Sequence, residues 1–203
     1  MNVLCHMIHF PVRSLGPGMR IGFWFQGCSI HCSGCVTKES WDFDESRARD
    51  LDEIIECVSR FQRSGTMTDG LTISGGEPFD QPDALMALLR QVNAMGMDDI
   101  LIYTGYAAGE ISRRLPELPG LASAMVGGPF EAGNLTDSTW KGSENQTFHL
   151  FREKFRGRYD PWLSGTRRAL QYVRGNGGGF LIGVPRQNDV ERLRGKADLL
   201  LGS

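Results

Sequence analysis

Hydrophobic and polar positions in this chain fall into blocks whose period changes in a repeating order. Residues 20–27 form a short apolar and aromatic run closed by glycine, which predicts a mostly buried strand. Over residues 50–64, Leu51, Ile54, Ile55, Val58 and Phe61 recur at helical spacing, and Gly65 stands where a C-terminal cap belongs. Residues 71–74 predict a second strand running straight into Gly75-Gly76-Glu77-Pro78. Pro82, a favoured first-turn residue, opens a second helix through Leu85, Leu88, Leu89, Val92 and Met95 to Gly96. The order continues with a strand at 100–104, a short helix at 109–115 and a strand at 122–126.

Strand alternating with helix implies an α/β fold whose parallel strands form an open sheet or a partial, open βα barrel. Beyond residue 130 the pattern weakens: 133–146 is polar and turn-rich, 151–158 is basic with interleaved aromatics, and both are expected to be loop or short helix. Residues 169–174 and 180–184 flank Gly175-Asn176-Gly177-Gly178-Gly179, which predicts a C-terminal hairpin. A length of 203 residues suits one domain over 1–203, with a core at about 15–150 and a C-terminal extension at about 151–203.

Charge narrows the partners. With 22 Lys and Arg against 24 Asp and Glu there is no positive excess of the kind that nucleic acid or a membrane surface requires. No apolar run approaches the ~20 residues that span a bilayer, and the N-terminal stretch lacks the features of a signal peptide, so a cytoplasmic protein is expected.

Candidate chemistry begins with the cysteines. Of five, Cys28, Cys32 and Cys35 crowd into one short segment, too tight for a disulfide framework and suited to a metal. Three soft thiolates select an iron-sulfur cluster or zinc. On a four-iron cube, three ligands leave one iron free to chelate an amino acid head group; the alternative is structural zinc completed by His31 or His6. Gly75 and Gly76 follow a strand and could let a ligand approach the backbone, while Glu77 offers an acceptor to a cationic amino group. Because both motifs follow strands of a parallel array, they are expected on the same face, where such folds bind ligands.

Residues 28–35 with Ser74-Gly75-Gly76-Glu77-Pro78 and Tyr103-Thr104-Gly105-Tyr106 resemble the radical S-adenosylmethionine (SAM) superfamily. Within it, Phe25-Gln26-Gly27-Cys28, Ser33-Gly34-Cys35 and Trp140-Lys141-Gly142-Ser143-Glu144-Asn145-Gln146 are similar to the activating enzymes of anaerobic ribonucleotide reductase and pyruvate formate-lyase. The resemblance implies a [4Fe-4S] cluster on Cys28, Cys32 and Cys35, with SAM held by Ser74, Gly75, Gly76, Glu77 and Pro78 and approached by Tyr103, Thr104 and Gly105. It further implies reductive cleavage of SAM to a 5′-deoxyadenosyl radical, a glycyl radical enzyme as protein substrate, and a flavodoxin- or ferredoxin-type electron donor. Gly34, where many members carry an aromatic residue, matches the reductase activators. One departure is the absence of a carboxylate at Gly127, where the activators have an Asp-Gly-Arg/Pro-Phe segment. That departure keeps open a different peptide or a small substrate such as a deazapurine precursor; a non-enzymatic zinc or cluster module is the remaining alternative.

The other candidates read as structural. Cys5 and Cys57 are expected to pack rather than ligate, as are His6, His9, His31 and His149. Phe23, Trp24 and Phe25 are expected in the core beside the cluster. Arg152, Lys154, Arg156, Arg158, Arg167 and Arg168 make a locally basic C-terminal third, a solvated face on which an acidic electron donor could dock.

Overall fold

The structure is a computed structural model that describes residues 1–175, 178–186 and 189. Its centre is a sheet of seven strands in the order β3-β1-β2-β4-β5-β6-β7. β2 (Arg20–Phe25), β4 (Gly70–Gly75), β5 (Ile100–Thr104) and β6 (Ala124–Gly127) pair in parallel. The margins are antiparallel: β1 (Asn2–Val12) pairs with β2 and with β3 (Ala48–Asp50), and β7 (Thr147–Leu150) closes the far side on β6. The fold is mixed α/β with a largely parallel open sheet. Its antiparallel margins were not expected from the sequence, because β1 is broken by irregular register and β7 is short and only half-buried.

One face of the sheet carries α1 (Leu51–Gln62), α2 (Pro82–Ala94), α3 (Ala108–Arg114) and the short α4 (Leu118–Leu121). Their apolar stripes, including Ile54, Val58, Leu85, Leu89, Ile111 and Leu118, share one core with Phe23, Phe25, Ile73 and Ile102. Each such side chain contributes roughly 1.5–3 kcal/mol by leaving water. Local signals set the ends: the Asp50 carboxylate caps α1 by accepting from the Asp52 amide, Pro82 opens α2, and Gly65 and Gly96 take the left-handed conformation after each helix.

The opposite face is covered from the C-terminal part of the chain. Residues 151–158, expected as loop or short helix, lead into α5 (Arg156–Leu163), whose Tyr159 packs on Leu101, Ala124 and Val126. The hairpin of β8 (Leu170–Gly175) and β9 (Gly178–Gly183) forms a separate two-stranded sheet, with Ile182 packed on Val12, Leu15 and Trp24. Asn176 and Gly177, in the glycine-rich turn, and most of the terminal stretch lie outside the described residues.

At the starting ends of the parallel strands, Arg20 is wholly buried and ion-paired with buried Asp99 at 3.3 Å. It also donates to Thr72 Oγ1 at 2.8 Å and to the carbonyls of Leu71 and Asp99, while Tyr159, Ser123 and Arg158 donate to the Asp99 carboxylate. This network joins β2, β4, β5, β6 and α5 at the end of the sheet away from the cysteine loop.

Candidate functional site

The cysteine loop leaves β2 at Gly27, which has a positive φ, and its first residues are held from two sides. The amides of Gly27 and Cys28 donate to the carbonyls of Ser40 and Trp41, and the amides of Gly76 and Glu77 donate to those of Phe25 and Gly27, all at 2.8 Å. Gln26 is a buried clamp: its amide nitrogen donates to the carbonyls of Glu39 and Asp42, and its oxygen lies 2.9 Å from His6 Nδ1. Further along, His31 and Gly34 take positive φ and turn the loop back, while the Cys35 amide donates to the Cys32 carbonyl at 3.1 Å.

All three thiols are free; Cys28 is buried and Cys32 and Cys35 are half-buried. Burial pushes the Cys28 and Cys32 thiols up, opposed by backbone amides of His31 and Ile30 at Cys28 and of Phe130 at Cys32. Amides directed at sulfur suit thiolates that share a negative cluster, since such hydrogen bonds set its potential. The donor set therefore fits a soft-metal cluster. Among the described residues, however, no three His, Cys, Asp or Glu side chains already converge as a metal site, these cysteines included. The three cysteines share the one loop that follows β2. Neither suggested zinc ligand completes a set: His31 stacks on Trp41 at 4.6 Å, and His6 engages Gln26.

Gly75 and Gly76 are glycine for a reason the sequence did not suggest. A Cβ on Gly75 would lie 2.4 Å from the Phe25 backbone, and one on Gly76 would lie 2.0 Å from the Gly27 carbonyl oxygen. The space a side chain would need is taken by backbone, at the end of β2 for Gly75 and at Gly27 and Ser40 for Gly76. Glu77, 1% exposed, turns inward and accepts from the Phe79 amide at 3.0 Å, Thr104 Oγ1 at 2.8 Å and the Gly105 amide at 2.8 Å. Burial raises its carboxyl to about 7 despite those three donors. Glu77 thus ties the loop after β4 to the end of β5, fixing backbone on either side of the cavity described next.

That cavity, about 210 Å³, opens at the carboxyl ends of β2, β4 and β5. Cys32, Cys35, Ser74, Gly75, Gly76, Tyr103, Thr104 and Gly105 line it, joined by Gly128, Phe130 and Gln146 from beyond β6. Most of the residues singled out from the sequence, two cluster cysteines among them, therefore share one wall system; Cys28, Glu77 and Pro78 lie behind it. Gln146 holds the segment from Trp140 in place, accepting from the Gly142 amide at 2.8 Å and donating to the Gly128 carbonyl at 3.0 Å. At Gly127, a Cβ would stand 3.1 Å from the Tyr106 carbonyl oxygen, a tight contact at the position where the resembled activators carry a carboxylate.

A loop of three free thiols at the carboxyl ends of parallel strands, facing a glycine-built turn, is the arrangement of an α/β protein that takes a soft-metal centre. The chain belongs to the 4Fe-4S single cluster domain family, which matches residues 14–149, and is of the radical SAM type. It is 28% identical over 134 residues to the anaerobic ribonucleoside-triphosphate reductase-activating protein of Enterobacteria phage T4, covering 64% of this chain and 83% of that protein. Over 98 residues it is 33% identical to the pyruvate formate-lyase-activating enzyme of Clostridium pasteurianum, covering 46% of this chain but only 40% of that enzyme. Among solved structures, that of QueE from Escherichia coli matches with a TM-score of 0.40 and 21% identity over 52% of this chain and 53% of that one.

Several working residues escaped the sequence reading. Asp80 accepts from the Ser29 amide at 2.6 Å and from Tyr106 Oη at 2.7 Å, pinning the cysteine loop to the turns after β4 and β5. Gln81 donates to the Gln26 carbonyl at 2.8 Å and accepts from the Leu4 amide at 2.8 Å. Their placement straight after Pro78 was the available signal. Five of the six cations in the basic C-terminal stretch have partners. Arg152 and Lys154 engage Asp98, Arg156 pairs with Glu153, Arg158 with Asp99, and Arg168 donates to the carbonyls of Val184 and Thr136. No helix of the described residues is long and apolar enough to cross a membrane.

Proposed function

We propose that Cys28, Cys32 and Cys35 hold the [4Fe-4S] cluster, that SAM binds in the adjoining cavity, and that the chain generates a glycyl radical on a partner enzyme. When bound, the cluster supplies one electron for reductive cleavage of SAM, giving methionine and a carbon radical able to take a hydrogen atom from glycine. The observation that carries this reading is the shared cavity of Cys32 and Cys35 with Gly75, Gly76, Thr104 and Gly105.

The residues have distinct tasks. The cysteines ligate, and the amides of His31, Ile30 and Phe130 stabilise their thiolates. Backbone and hydroxyl groups of Ser74, Gly75, Gly76 and Thr104 offer donors and acceptors to an amino acid head group, with Glu77 holding those strand ends in register from behind. Apolar neighbours exclude water from a reactive radical. A flavodoxin or ferredoxin is the fitting class of electron donor.

The test is anaerobic reconstitution followed by iron and sulfide analysis, SAM cleavage with dithionite, and incubation with a candidate glycyl radical enzyme. Four irons per chain, methionine release and a glycyl doublet in electron paramagnetic resonance are expected. Replacing any one of Cys28, Cys32 or Cys35 with Ser should abolish methionine release, whereas Cys5→Ser and Cys57→Ser should retain it. Cys5, buried with its thiol pushed up to about 12, is the negative control. Zinc alone, without reducible visible absorption, defeats the proposal.

A further inference from the structure

The cavity has a second wall that the cysteine and glycine motifs do not supply. Leu15, Trp24, Leu181, Ile182, Val184 and Pro185 face the polar, glycine-built side, and all six are apolar. Four of them belong to β9 and the residues just after it, beyond the stretch 14–149 that matches the family. This wall is specifically docked. Ser14 Oγ donates to the Ile182 carbonyl at 2.9 Å, Gln171 Nε2 to the Pro11 carbonyl at 3.0 Å, and Arg168 Nη1 to the Val184 carbonyl at 2.8 Å. Ile182 is buried against Val12, Leu15 and Trp24, and Phe180 meets His6 edge-on at 6.4 Å.

SAM is a two-ended ligand, with a charged amino acid head and a flat nucleoside whose base has apolar faces. The two sides of the cavity differ in the same sense, and ligand sites pair a mostly apolar lining with a few placed polar groups. At about 210 Å³ the cavity is a half-open cleft rather than a closed pocket of the ~300–1,000 Å³ usual for ligands of that size. The hairpin is the wall that lies outside the seven-stranded sheet.

We propose that the C-terminal hairpin is the nucleoside-binding wall, with Ile182 and Val184 taking the face of the adenine ring while the Gly75 and Gly76 side takes the methionine end. This rests on SAM being the cofactor, as proposed above. The hairpin then sets affinity for the nucleoside without touching the cluster ligands.

The test uses the full reconstituted chain and its Ile182→Asp and Val184→Asp variants. Affinities for SAM and S-adenosylhomocysteine are measured by calorimetry, and methionine binding by its shift of the reduced-cluster paramagnetic resonance signal. Both variants should bind the two nucleosides at least ~10-fold more weakly, from charge placed on an apolar contact, with the methionine shift unchanged. In the wild type, SAM should slow hydrogen exchange across residues 178–186, a readout that needs no variant to fold. Unchanged nucleoside affinity in both variants, or unprotected hairpin amides in a wild type that binds SAM, overturns the hairpin assignment alone. A wild type with an intact cluster that binds neither nucleoside overturns the SAM reading as well.

Discussion

Glu77 shows how much one side chain does at this site. Its carboxylate is almost wholly buried, and the three donors around it do not offset the loss of water, so its carboxyl rises to about 7 from an ordinary value of 4.5. A carboxyl raised on folding favours the folded state fully below its unfolded pKa, and that advantage is lost as pH climbs through the folded value. The window is therefore about pH 4.5 to 7, and the difference amounts to about 3 kcal/mol. Urea unfolding of the metal-free protein should show stability falling from pH 5 to pH 8, with a clearly smaller fall in Glu77→Gln. That variant should be weaker than wild type at pH 5, because an amide nitrogen turned to the Gly105 amide cannot accept, whereas either oxygen of the protonated carboxyl can. A wild type and variant with parallel pH profiles would remove Glu77 from this role.

Among the elements, the strand-to-loop junctions carry the tightest constraints. Gly76 meets the Gly27 carbonyl so closely that a methyl group has no place without moving the backbone that launches the cysteine loop. Gly76→Ala should cost about 3 kcal/mol or more and lower the iron retained after reconstitution. At Gly109, in α3, a methyl group would meet nothing within 4 Å, and the φ of this residue is not in the left-handed region. Gly109→Ala should stabilise by about 0.5 kcal/mol by restricting the unfolded chain, with iron content unchanged. Thermal melts and iron assays on the pair separate a packing constraint from a general effect of glycine. The sequence placed the elements bearing both motifs closely, since β2, β4, β5 and the first two helices announce themselves by period and caps. It read the paired glycines as room for a ligand; they do line the cavity, and the structure adds that backbone behind them leaves no place for a side chain, which spacing along a chain does not disclose.

For the whole molecule, the two ends of the parallel sheet have opposite characters. One end is locked by Arg20 and Asp99, where burial alone would raise the carboxyl but the Arg20 charge and the donors from Arg20, Tyr159 and Ser123 bring it below its usual value. Asp99→Ala would strand a fully buried guanidinium, so a loss of about 3–5 kcal/mol is expected, a fall in Tm of roughly 10 °C. A melt shifted by only a degree or two would show that Arg20 and its neighbours do not need this anchor. The other end is open and carries the cavity. The sequence alone determined the alternating strands and helices, the spacing of the three thiols and their position after a strand, because each of these is a property of a few neighbouring residues. Only tertiary structure decided that β1 and β7 flank the parallel strands, that Asp80 and Gln26 brace the cysteine loop, and that β9 forms the cavity's apolar wall. These depend on groups far apart in the chain, such as Ser14 and Ile182, which meet only once the sheet is assembled and its second face is covered.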